Sequence, residues 1–135
     1  MASLFELGGI PGGMLPGVMG LAAPTATATL SAANSYNTIV RGVPTAAATY
    51  TTATAADIVA AIGDDCAIGT TFMLVVLNAS AGANTITVAG GTGVTVSGVA
   101  TVAQNASKVF LGRVSAIDTA AITLYGLGST DAAVA

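Results

Sequence analysis

Residues 71–97 read TFMLVVLNASAGANTITVAGGTGVTVS, and their patterning decides the fold class. Phe72 to Asn78 is a short, unbroken apolar run, which predicts a strand buried on both faces. Residues 84–90, NTITVAG, alternate: Ile86 and Val88 share one side and threonines take the other, the period of a half-buried strand. The SAGA between them has turn chemistry, so the pair predicts a hairpin. The glycine run Gly90–Gly93 then leads into VTVSGVATVAQ.

Outward from this tract the same signals repeat. Downstream, KVFLGRVSA follows a polar NAS turn and AITLYGLG closes the pattern at Gly128. Upstream, TATATL and YNTIVRG are β-branched and alternating, with Tyr36, Ile39 and Val43 as expected packing residues, and Pro44 ends the run. One helix is predicted, Thr54 to Ile62. Thr54 and Asp57 match a capping pattern, Ile58 and Ile62 share a face, and Gly63 supplies the C-terminal stop. Strands separated by turns at this spacing predict a mainly β chain: a small β-sandwich or jelly-roll-like domain with one short helix and an extended N-terminal arm. The arm is placed at residues 1–26, the β-sandwich domain at 27–128 and a small tail at 129–135.

Composition bounds the function. The 135 residues are 53% apolar and 7% charged, against roughly 25% charged in an ordinary soluble domain. Three Lys/Arg and six Asp/Glu give a self-solvating monomer little to discourage association, so much of the surface is expected to be covered by other protein. A membrane-spanning helix needs about 20 continuous apolar residues, and Pro11, Pro16 and several glycines interrupt the apolar stretch from Leu7 to Ala23. The basic n-region of a secretory signal is missing, since the only early charge is Glu6. With a net charge of −3 the electrostatic drive toward nucleic acid is absent, so no direct nucleic-acid contact and no membrane partner are expected.

The arm carries Leu4, Phe5, Leu7, Ile10, Met14, Leu15 and Met19 among glycines and prolines. It is too apolar for a solvated tail and too rich in Gly and Pro for a helix. It is expected to bind as an extended segment against a neighbouring subunit, through those seven side chains. Arg41 and Arg113 are candidate interface cations, and Arg113 falls on the side opposite Phe110 if alternation holds; guarding a strand edge is the commoner role for such a cation. No catalytic, metal or cofactor site is expected. The chain has no histidine and one cysteine, Cys66, so a Ser-His-Asp or Cys-His nucleophile and the usual zinc sets cannot assemble within one chain. Asp64 and Asp65 read as turn residues past the helix. Gly90–Gly93 lacks the Lys-Ser/Thr of a phosphate loop.

Taken together, YNTIVRG, TAADIVAAIG, GTTFMLVVLNASAGANTITVAGGTGVTVSG, VAQNASKVFLG and AAITLYGLG resemble the capsid decoration (cement) and head-fibre proteins of tailed bacteriophages over about Thr27 to Gly128. The resemblance implies a virion protein made in the host cytoplasm, which sits on the capsid exterior as a homotrimer and clamps adjacent major capsid proteins. The alternative is a trimeric fibre or spike module binding a host surface glycan, with Asn34, Tyr36, Asn37, Asn78 and Asn105 as polar contacts.

Overall fold

The computed structural model describes residues 18–128, in which ten strands and one helix form two sheets. The strands are β1 (Gly20–Ala22), β2 (Ala28–Thr29), β3 (Thr38–Gly42), β4 (Ala48–Thr51), β5 (Thr71–Asn78), β6 (Ile86–Ala89), β7 (Val94–Ser97), β8 (Thr101–Val102), β9 (Ser107–Ala116) and β10 (Ala121–Leu127), and α1 spans Ala55–Ile62. A large sheet has the order β1-β3-β5-β9-β10-β7 and a small one the order β2-β4-β6-β8. The chain is mainly β, as the alternation predicts.

The path between the sheets differs from the expected one. From β1 to β8 each strand lies in the opposite sheet from the one before it. Strands two apart are neighbours from β1 to β5 in the large sheet and from β2 to β8 in the small one, and β1, β3 and β5 run parallel in one sheet while β2, β4 and β6 run parallel in the other. The chain winds. The SAGA segment does not close a β5–β6 hairpin; it carries the chain from the large sheet to the small one. Parallel neighbours also exclude a jelly roll, which is built from antiparallel Greek keys. Only β9 and β10 are consecutive and antiparallel in one sheet. The reason for the difference is physical: a period of 2 says which side chains face the core, and two strands facing each other across a core show the same pattern as two that hydrogen-bond side by side.

Inward residues of both sheets meet in one core. Val40, Phe72, Leu74, Val76, Phe110, Val114, Ile122 and Leu124 come from the large sheet; Ala48, Tyr50, Ile86, Val88 and Val102 come from the small one. Two close approaches set the spacing. The Tyr50 ring fills the room left by the missing side chain of Gly42, where a Cβ would collide with the Tyr50 hydroxyl and with Ile86 Cδ1. Phe72 lies over Gly112, its cross-strand partner on β9, and occupies the Cβ position there. Tyr36 closes the end of this layer, edge-on to Phe72 with ring centroids 6.1 Å apart.

The helix forms as its cap predicts. Thr54 Oγ1 accepts from the Asp57 N–H at 3.1 Å, and Gly63, at φ 96°, donates its N–H to the Val59 carbonyl. Ile58 is fully buried, while Ile62 and Cys66 pack partly against the core. At the other end of the winding, β1 already pairs with β3 through Gly20–Ala22, so the sheet begins upstream of the boundary placed at residue 27.

Two predictions follow from the Tyr50 packing. Gly42→Ala overpacks a site bounded by the Tyr50 ring and the Ile86 side chain and is expected to lower stability by about 1–3 kcal/mol, measured by urea unfolding. Tyr50 donates to the Pro24 carbonyl at 3.2 Å, and burial raises its pKa above the ordinary tyrosine value. Below about pH 10 the phenol is neutral in both folded and unfolded chains. Above that the unfolded chain releases the proton first, so stability falls as pH rises. Tyr50→Phe should remove part of this alkaline loss and cost about 1 kcal/mol at neutral pH; an unchanged alkaline unfolding profile would count against the assignment.

Candidate interaction surface

The outward face of the large sheet is apolar and bare. On β5 the inward side chains Phe72, Leu74 and Val76 are buried, but Met73 is 48% exposed and Val75 and Leu77 are half-buried. The unbroken apolar run at 72–77 is therefore covered on one side only. This corrects the expectation of a strand buried on both.

Strand register turns that face into rows. Leu21, Ile39, Val75, Val109 and Leu127 are successive cross-strand partners on β1, β3, β5, β9 and β10. Beside them run Met73, Leu111, Tyr125 and Ser97 on β5, β9, β10 and β7. Outward orientation follows from alternation, since the residues on either side of each in β3, β5 and β9 are buried. Leu21 is 70% exposed, and Tyr125 and Leu127 more than 40%. Adjacent strands stand about 4.8 Å apart, so five strands make an apolar band roughly 19 Å wide.

Two cations bracket the band. Arg41 continues the row of Leu77 and Ser107 on one side; Arg113 lies on the other, in a row with Thr71, Thr123 and Thr95. Both are exposed. Neither stands on an edge strand, because β3 and β9 are interior strands; they project outward on opposite sides of the band. No carboxylate lies on any strand of either sheet, so the face is positive on a chain whose net charge is −3. Lys108 belongs elsewhere. It shares the inward parity of Phe110 and is 7% exposed, so it is not a rim cation.

The outward face of the small sheet has different chemistry. Thr49, Thr87 and Thr101 form one row, and Thr29, Thr51 and Ala89 form the next. It is hydroxylated and uncharged.

Of the residues singled out in the sequence, Leu4, Phe5, Leu7, Ile10, Met14 and Leu15 lie outside the described residues. Met19 is described and is 41% exposed beside β1. Several of the polar candidates for glycan contact serve the fold. Asn78 is 2% exposed, donating to the carbonyls of Asn84 and Val102 and accepting from the Ser80 N–H. Tyr36 donates to the Ala61 carbonyl, and Asn37 and Asn105 occupy positive-φ turns. Asp64 and Asp65 follow the helix, and among the described residues no cluster of three metal-ligating side chains occurs. A hollow of 270 Å³ beside Thr25–Thr27 and Thr45–Ala48 is lined by threonines and alanines without an ionisable group.

The apolar face is the surface that residue-by-residue reading missed. Its signal was present in the run FMLVVLN, but only the register identifies Val109, Leu111, Tyr125 and Leu127 as its neighbours. Comparison with family models, with curated proteins and with solved structures returns no match to this chain.

A face that serves binding and a residue that serves folding respond differently to substitution. Met73→Lys and Leu127→Lys are expected to change unfolding free energy by less than about 0.5 kcal/mol. Asn78→Ala, which strips hydrogen bonds from two carbonyls and an N–H, should cost about 2–3 kcal/mol. A large loss from the lysine variants in urea unfolding would show that the band belongs to the core of the fold.

Proposed function

We propose that this chain is a structural protein of a tailed-phage head. In this reading it binds the outside of an icosahedral capsid as a homo-oligomer, a homotrimer by the family resemblance, and stabilises the lattice by clamping adjacent major capsid proteins. The single observation that carries it is the uncovered band on the large sheet, two apolar rows wide and bracketed by Arg41 and Arg113. Large exposed apolar patches with polar borders are docking surfaces for protein. The two guanidinium groups, with no carboxylate beside them on the sheet, favour an acidic partner and fix orientation more than they add affinity.

The mechanism needs no reacting group. A protein that binds the assembled lattice and not its dissociated subunits shifts the equilibrium toward the lattice. An oligomer engages several capsid sites at once, so individually weak contacts act together. The glycan-binding alternative loses support from the structural work that Asn78 and Tyr36 do.

Two measurements test the reading. Sedimentation at tens of micromolar should give an oligomer, and a well-behaved monomer would oppose it. Binding to intact heads at limiting concentration should fall by at least about tenfold, 1.4 kcal/mol, in Val75→Lys/Leu111→Lys, with circular dichroism unchanged. Undiminished occupancy by that variant would remove the large sheet from the attachment surface.

A further inference from the structure

We infer that the partner element seated on the apolar band is an amphipathic α-helix of about 13 residues, with a carboxylate on each flank of its apolar stripe. The inference deepens the docking role given to the band and rests on that role, but its grounds are the shape and charge of the face, whichever protein supplies the helix.

Shape selects a helix. Arg41 shares a row with Leu77 and Ser107, and Arg113 lies on the same strand as Ser107, further along β9. At about 3.4 Å per residue the two flanking rows stand roughly 20 Å apart, with the two apolar rows between them. A helix with its side chains is about 10–12 Å across, so it covers both apolar rows and leaves roughly 4–5 Å to each flanking row. An arginine stem crosses that gap, and a second helix does not fit beside the first.

An extended segment meets the same face badly. A strand is about 4.8 Å wide and covers a single row. Running across the strands, it finds side chains beneath it instead of a sheet edge, so its inward N–H and C=O groups are covered without partners. A helix bonds its own backbone internally and presents only side chains. The band runs roughly 19 Å over five strands, which is the length of about 13 helical residues.

Charge sets the pattern on that helix. Arg41 and Arg113 are exposed on opposite sides of the band, and no carboxylate lies on a strand of either sheet. A second copy laid face to face would gather four guanidinium groups and supply no carboxylate from its own sheet, so like charges oppose that occupant. The order β3-β5-β9 puts the two arginines two strands apart, an offset of about 10 Å along the band. A helical residue five or six positions on is turned to the other side of a stripe about 120–140° wide and advanced by about 8–9 Å. Two acidic residues at that spacing therefore flank one apolar stripe, each beside one arginine, where carboxylate and guanidinium pair through two hydrogen bonds.

The test uses synthetic fluorescent peptides and the full-length protein, with binding read by anisotropy. One helix-forming peptide carries glutamates on opposite flanks of a leucine stripe, five residues apart; a second has them six apart. Their twins carry lysine at the same positions, and an isomer of the same composition alternates apolar and polar residues as a strand does. The better glutamate helix should bind at least about tenfold more tightly than its lysine twin. With Arg41→Glu/Arg113→Glu that order should reverse, and Val75→Lys/Leu111→Lys should bind no peptide while circular dichroism shows an intact fold. Three results would overturn the inference. Equal binding of glutamate and lysine helices would remove the arginines from recognition, and tighter binding of the alternating isomer would make the partner a strand. Absence of binding by every peptide is the third; if Val75→Lys/Leu111→Lys then sediments as a monomer where the unmodified chain is an oligomer, the band belongs to a second copy. Attachment to phage heads enters none of these readings, so a glutamate helix that binds beside failed head attachment would sink the capsid reading and uphold the helix.

Discussion

The contact between Tyr50 and Gly42 is the constraint on which the winding depends. Tyr50 stands on β4 of the small sheet and is fully buried, its hydroxyl reaching the Pro24 carbonyl on the crossover between β1 and β2. Gly42 ends β3 in the large sheet and leaves the space that the ring occupies. One side chain thereby ties two strands and a crossover from the first circuit of the chain. β5 and β6 are the parallel neighbours of β3 and β4, the two strands that this contact joins. Parallel pairing of this kind requires long connections, and here the route through the other sheet, lengthened by α1 in the second circuit, supplies them.

Much of this was legible in the residues. The capping pair Thr54 and Asp57 defines the helix start, and the alternation of Ile86 and Val88 with threonines sorts the two faces of β6. What alternation cannot convey is adjacency. Phe72 to Leu77 and Ile86 to Val88 look like a hairpin because a short turn separates them, yet they face each other across the core in different sheets. Hydrogen-bond partners are set by where the whole chain has already been laid down, which no local window records. The edge strand β1 was hidden for a related reason. Gly20, Leu21 and Ala22 have little intrinsic strand preference, and they pair because β3 presents a free side.

The interaction surface was half legible. An unbroken apolar run predicts two covered faces, and the chain covers only one of them. The arginines were found as residues but not their setting: Arg41 and Arg113 sit on interior strands and face outward on opposite sides of the apolar band. Lys108, two positions from Phe110 on the same strand, turns inward instead. A one-residue difference in parity separates a cation available to a partner from one buried beneath the sheet.

The scarcity of charge then has a local explanation. The small sheet is solvated by threonine hydroxyls, which keep the β-branched shape that strands favour while hydrogen-bonding to water. Such a face needs no charges to stay wet. The two central rows of the large sheet have no equivalent: apart from Ser97 at one end they are Leu, Ile, Val, Met and Tyr, and the only charges on the face are the two arginines in the flanking rows. The two faces are built from residues of similar shape and opposite hydration, so the overall composition averages a surface suited to water with one suited to protein. An uncovered band of this kind is tolerable in a chain that meets its partner at high local concentration, and it is a hazard in one that diffuses freely.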